Sequence, residues 1–152
     1  MNITAMYFSG TGTTKKVTAA IADELTEIKI SQDKTAADEN PGSIKAGIKL
    51  WQRAADIDFT PPAARREIYR FAPDDLVVFG VPVIAGRVPN VLLKFLDTLQ
   101  GGGALAVPVV LYGNRNFDDA LIELRNILQD RGFYAIGAAA FIGEHSFSRI
   151  LA

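Results

Sequence analysis

The sequence contains no cysteine and a single histidine, His145. The first absence removes disulfides, cysteine-ligated zinc, iron–sulfur ligation and cysteine nucleophiles together. The second leaves no histidine-rich metal site. An excess of either charge is also lacking: 16 Lys and Arg against 17 Asp and Glu give a net charge of −1 at pH 7. No global field therefore draws the chain to nucleic acid or to an anionic membrane. No apolar run approaches the roughly 20 residues that a membrane span needs. The N-terminus opens into Asn2-Ile3-Thr4-Ala5-Met6-Tyr7-Phe8, without the basic segment, apolar run and cleavage site of a secretion signal. A cytoplasmic location is expected. Internal repeats are absent as well. What remains is ordinary globular composition, about half hydrophobic, with Gly and Pro scattered along 152 residues. That length suits one domain, 1–152, with a core of its own.

Three short apolar runs are β-prone and end at a glycine or a proline. Ile3 to Phe8 stops at Ser9-Gly10, Leu76-Val77-Val78-Phe79-Gly80-Val81 stops at Pro82, and Val107-Pro108-Val109-Val110-Leu111-Tyr112 stops at Gly113. Unalternated runs of this kind fit strands buried on both faces of a parallel sheet. Helical spacing follows each one. Val17, Ala20, Ile21 and Leu25 mark the first helix. Leu92, Phe95, Leu96 and Leu99 mark a second, with Pro89 at its start and Gly101 at its stop. Phe117, Ala120, Leu121, Leu124, Ile127 and Leu128 form the clearest stripe, with Asn116 and Asp119 spaced like a cap and Gly132 after the last turn. A last strand is expected over 133–142. Between Glu27 and Arg70 the pattern is ambiguous: the second strand is either Ile28-Lys29-Ile30 or, preferably, 55–60. Residues 33–42 read as a polar loop. An extra helix over 43–55 is expected from Ile44, Ile48, Trp51 and Ala55, where Trp51 either buries a helix face or meets a ligand.

Strands alternating with helices of this length imply βαβ units and a parallel sheet, whose ligands bind beyond the carboxyl ends of the strands. Three loops lie at those ends. Ser9-Gly10-Thr11-Gly12-Thr13-Thr14 combines backbone N–H groups, a helix N-terminus and four hydroxyls, which suits a phosphate. It lacks the Gly-Lys-Ser/Thr ending of a Walker loop and the third glycine of a dinucleotide fingerprint. A phosphomonoester such as that of FMN fits better. Pro82-Val83-Ile84-Ala85-Gly86-Arg87-Val88-Pro89 would lie where a flavin ring sits, with Val83 and Ile84 as apolar cover and Gly86 permitting a peptide flip. A rigid proline-bracketed connector is the bland alternative. Tyr112-Gly113-Asn114-Arg115-Asn116-Phe117 would flank the ring on its other side, with Tyr112 or Phe117 stacking or simply in the core.

Phe8-Ser9-Gly10-Thr11-Gly12-Thr13-Thr14 resembles the flavodoxin phosphate-binding signature. With the two later loops and Ala140-Phe141-Ile142-Gly143-Glu144-His145-Ser146, the chain is similar to the flavodoxin-like domains that precede bacterial-type ferredoxin modules. The resemblance implies an α/β flavodoxin-like three-layer sandwich, with a five-stranded parallel sheet in order 2-1-3-4-5. It implies FMN as cofactor and electron transfer as the work, with a ferredoxin or another redox protein as partner; a homodimer is compatible with it. The implied cofactor-binding residues are Ser9, Gly10, Thr11, Gly12, Thr13, Thr14, Pro82, Val83, Ile84, Ala85, Gly86, Arg87, Tyr112, Gly113, Asn114, Arg115 and Phe117. Two features depart from the family. Ile84 stands where an aromatic is common, and with no cysteine the chain carries no iron–sulfur cluster of its own. It is expected to be an excised domain or a stand-alone relative that receives electrons from another protein.

Arg87 and Arg115 near the ring would favour its anionic reduced form and raise its potential. Alternatively they dock an acidic partner or are solvated. His145, between Glu144 and Ser146, suits a catalytic role or a hydrogen-bonded cap. The rival function is an FMN-dependent reductase of quinones or similar small acceptors, although no nicotinamide site is recognisable. A receiver module would need acidic residues at the first and third strand ends, where Ser9 and Val81-Pro82 stand.

Overall fold

The computed structural model describes residues 1–39, 51–113 and 118–142. In chain order the elements are β1 (Asn2–Tyr7), α1 (Thr13–Glu39), β2 (Gln52–Arg53), β3 (Ile57–Asp58), β4 (Asp75–Pro82), α2 (Asn90–Leu96), β5 (Leu105–Tyr112), α3 (Asp118–Asp130), β6 (Tyr134–Ala135) and β7 (Ala139–Ile142). The three apolar runs become the three central strands, β1, β4 and β5, because both of their faces are covered. Every pairing is parallel. Across the sheet the order is β2 and β3 in line, then β1, β4, β5, then β6 and β7 in line. This is the expected order 2-1-3-4-5, with each edge position broken into two segments.

Both breaks have visible causes. Tyr134 N–H donates to Ala104 and Ile136 N–H to Ala106, so alternate residues of β5 face that edge. The next in the alternation is Pro108, which has no N–H to offer. The partner strand responds with one extra residue: Ile136, Gly137 and Ala138 stand between the pairs Ala135–Ala106 and Ala139–Val109. At the other edge the Ala54 carbonyl is taken by Nη1 of Arg53 at 2.6 Å. The Arg53 guanidinium also reaches Asp23 at 2.9 Å and Asp56 at 2.6 Å, anchoring the bend between β2 and β3 to α1.

Two apolar layers flank the sheet. On one side Leu92, Phe95 and Leu96 of α2 and Leu124 and Leu128 of α3 pack over Met6, Phe79 and Val110, with Phe59 stacked 5.2 Å from Phe79. On the other side α1 covers Ile3, Ala5, Leu76 and Val78. Its approach is close enough that a Cβ built on Gly80 would lie 1.9 Å from Oγ1 of Thr18. Thr18 is fully buried there, and its hydroxyl has no hydrogen-bond partner among the described residues.

The largest departure from the sequence reading is α1. It continues through Ile28-Lys29-Ile30 and through 33–39, which were expected as a possible strand and as a loop. Polarity suggested the loop, but Lys34, Ala36, Ala37 and Glu39 are good helix formers, and neither Gly nor Pro interrupts before Pro41. The preferred second strand at 55–60 appears as β3, and β2 was not expected. Residues 43–50 of the expected extra helix lie outside the described residues. Trp51 precedes β2, buried on the α1 side with the Lys29 ammonium 5.6 Å from its ring centre.

Candidate functional site

Parallel register brings the carboxyl ends of β1, β3, β4 and β5 to one edge of the sheet. Tyr7 stands beside both Asp58 and Gly80, and Pro82 beside Leu111. The chain leaves β1 through Phe8 to Gly12 and enters α1 at Thr13. Ser9 organises this passage. Its Oγ accepts the amides of Gly12 and Lys15, both at 3.1 Å, and so uses both lone pairs while its own proton remains to donate. Its amide donates to Oγ1 of Thr60 at 2.8 Å. Gly12 has φ +93°, a conformation that side chains disfavour, and it turns the chain into the helix. The amides of Gly10, Thr11, Thr13 and Thr14 have no partner among the described residues. A Cβ built on Gly10 or Gly12 meets no atom within 4 Å. Four N–H groups without a partner among the described residues, the positive end of a long helix and open space around two glycines therefore coincide. An anion of phosphate size suits this set of donors.

The second loop is a tight hairpin. Ile84 and Arg87 exchange backbone hydrogen bonds at 3.0 and 3.1 Å around Ala85 and Gly86, both with positive φ (54° and 78°). Positive φ at both central residues is the pattern of a type I′ turn, in which alanine is an unfavourable occupant of the first position. Val83 N–H donates to Leu111 at 2.7 Å and ties the loop to β5. Ile84 is 57% exposed. Arg87 pairs with Glu123 of α3 at 2.7 Å, and the same carboxylate accepts Val88 N–H at 2.9 Å.

Of the third loop, Tyr112 is half-buried at the end of β5 and Gly113 is exposed. Asn114, Arg115, Asn116 and Phe117 lie outside the described residues, as do Gly143, Glu144, His145 and Ser146. Three residues that the sequence reading passed over belong to the same edge. Thr60 receives the Ser9 amide and donates its own to Asp58. Arg65 gives Nη1 to the carbonyls of Phe59 and Thr60 and lies 5.5 Å from the Phe8 ring centre. Glu123 holds the hairpin. Thr60 was findable, since it ends the preferred second strand; nothing in the pattern marked Arg65 or Glu123.

No protein-family model matches the sequence, and a search of curated proteins finds no match. Solved structures do match in shape. An NADH:FMN oxidoreductase in its apo form is 17% identical, with a TM-score of 0.58 over 97% of this chain and 79% of that one. A candidate flavoprotein from Bacteroides uniformis is 12% identical, with a TM-score of 0.52 over 99% of this chain and 97% of that one. A flavodiiron core from Synechocystis is 17% identical, with a TM-score of 0.50 over 95% of this chain, which spans only 31% of it. The fold is flavodoxin-like. At these identities the likeness concerns the fold.

Within the flavodoxin-like frame, Tyr7 closes β1 below the loop that begins at Phe8. It is buried, and its hydroxyl donates to Asp56 at 3.1 Å. Burial first, then the nearby Asp56 carboxylate, pushes the phenol up to about 12 from an ordinary 10.0. The unfolded chain therefore loses this proton at lower pH than the folded one. The resulting stabilisation is complete below pH 10 and fades as the pH rises toward 12, by an amount on the order of 2 kcal/mol. Tyr7→Phe removes it. Urea melts from pH 8 to 12 are expected to show a smaller alkaline loss of stability in the variant, and parallel curves would refute this account. Among the described residues no helix is long and apolar enough to cross a membrane, and no cluster of His, Asp and Glu could hold a metal.

Proposed function

We propose that this chain binds FMN and transfers electrons in the manner of a flavodoxin, exchanging them with a ferredoxin-like or other redox protein. The observation that carries the reading is the β1–α1 passage, where four amides without partners among the described residues stand at a helix N-terminus beside the open space around Gly10 and Gly12. In this reading Ser9, Gly10, Thr11, Gly12, Thr13 and Thr14 hold the phosphate. The turn formed by Val83, Ile84, Ala85, Gly86 and Arg87, entered from Pro82, borders one side of the ring. Tyr112, Gly113 and the residues that follow, Asn114, Arg115 and Phe117, border the other. Bound FMN supplies one- and two-electron chemistry; the chain binds it, orients it and limits water at its edge. The flavin association of the structural neighbours supports the reading, as does the absence of a Walker or dinucleotide pattern in the loop.

The oxidoreductase neighbour gives the alternative its weight: an FMN-dependent reductase on the same scaffold. The test is the visible spectrum of the purified protein, followed through an anaerobic reductive titration and then with NADH. A yellow protein that exchanges electrons with ferredoxin and ignores NADH is the expected result. Turnover of NADH with a quinone selects the reductase. A colourless protein that binds no added FMN overturns both.

A further inference from the structure

The Ile84–Arg87 turn is poorly fixed by its own backbone. It has two mutual hydrogen bonds, one tie to β5 at Val83, and a central alanine with φ 54°. Among the described residues, its remaining hydrogen bonds come from one side chain. Glu123 lies on α3, and its side chain is only 20% exposed. Oε1 accepts the Val88 amide at 2.9 Å and Oε2 accepts Nη2 of Arg87 at 2.7 Å. One carboxylate therefore performs two tasks: it latches the backbone just past the turn, and it neutralises the cation that the turn carries. The Arg87 side chain is 70% exposed and has no comparable hold elsewhere among the described residues. Asp119, one helical turn earlier, adds a second negative charge near Arg87.

We propose that Glu123 is a positioning residue for the candidate flavin site: it presents the Ile84–Arg87 turn in a fixed and electrically neutral form. The proposal rests on the FMN reading for its consequence but not for its geometry. Reduction of FMN by dithionite adds two electrons and one proton to the ring and leaves one net negative charge on it. The field at the turn then decides how tightly the reduced form is held relative to the oxidised form. With Arg87 paired, its charge contributes little. Glu123→Gln keeps an oxygen for the Val88 amide but breaks the ion pair, leaving Arg87 positive. Arg87→Gln leaves Glu123 and Asp119 negative.

Two measurements test this. The first is the ratio of FMN dissociation constants in the oxidised and dithionite-reduced states. At separations near 10 Å in a partly solvated site, a unit charge shifts this ratio by roughly three- to tenfold. E123Q is expected to favour the reduced form by about that factor, R87Q to disfavour it, and R87Q/E123Q to return within about twofold of the native ratio. A merely structural role would weaken both forms alike and would not cancel in the double variant; that pattern overturns the charge assignment. The second is amide hydrogen exchange at Val88 in the protein without added FMN, which Glu123→Ala is expected to accelerate at least about tenfold. Unchanged exchange overturns the latch. If the native chain binds no FMN while exchange at Val88 does accelerate, the latch stands and the FMN reading fails, and the flavin role of Glu123 fails with it.

Discussion

Gly80→Ala is expected to destabilise the protein by about 3 kcal/mol, at the upper end of what overpacking usually costs. Gly80 lies in β4 directly under α1, and the new Cβ would sit 1.9 Å from Oγ1 and 3.1 Å from Cβ of Thr18. Neither neighbour can retreat easily. Thr18 is fully buried in a long helix, and Gly80 is paired with Tyr7 on one side and Val109 on the other. Against the 5–15 kcal/mol of a typical domain, such a loss consumes a large share of the total. The mechanism is separable from any general intolerance of β4 by a double-mutant cycle. Thr18→Ala removes the nearest atom and an orphaned hydroxyl at once, so it should be close to neutral alone and should lower the cost of Gly80→Ala by more than half. Urea denaturation of the four proteins measures this. Equal costs in both backgrounds would mean that the helix contact is not the cause.

In the proposed FMN site, Gly12→Ala is expected to lower FMN affinity by about 100-fold or more. Two effects add: alanine disfavours φ +93° by about 1–2 kcal/mol, and its methyl group occupies space that the phosphate needs, losing charge-assisted hydrogen bonds. Riboflavin, which lacks the phosphate, should lose much less. Gly10→Ala separates the two effects. Gly10 also faces open space but is not at positive φ, so it isolates the steric part. Affinities are read from flavin fluorescence. A Gly12→Ala variant that weakens riboflavin as much as FMN would remove the phosphate from this loop. Because Gly12 is half-exposed, this change should affect binding far more than folding.

The central sheet was legible because β1, β4 and β5 are continuous apolar runs, and only strands buried on both faces need to be so. The edge positions were legible in part: the expected strands at 55–60 and 133–142 contain β3, β6 and β7, whereas β2 and the two breaks left no sign. β2 and β6 are two residues each, defined by pairing to neighbours and by the interruptions at Ala54 and Pro108, and pairing leaves no periodic trace. The second half of α1 was misread for a related reason. A helical stretch of mostly polar residues looks like a loop when hydrophobic spacing is the criterion. At the candidate site, Ser9 and Gly12 stood out because their types are unusual in that position. Arg87 stands out in the sequence by its charge, but its ion-pair partner, Glu123, is 36 residues away. A partner contributed by another layer of the fold is what a linear pattern conceals.

Pro108 has an effect beyond the strand that contains it. From Gly132 to Gly143 the sequence carries no charge, and Tyr134 and Ile136 present large apolar surfaces to solvent. An uninterrupted outer strand of that composition would offer a neighbouring molecule a ready row of hydrogen-bonding groups. By forcing the extra residue opposite itself, Pro108 cuts the row into pieces of two and four residues and bends it between them. A proline in the interior of the sheet thereby sets how long a continuous row of hydrogen-bonding groups the outer strand can present.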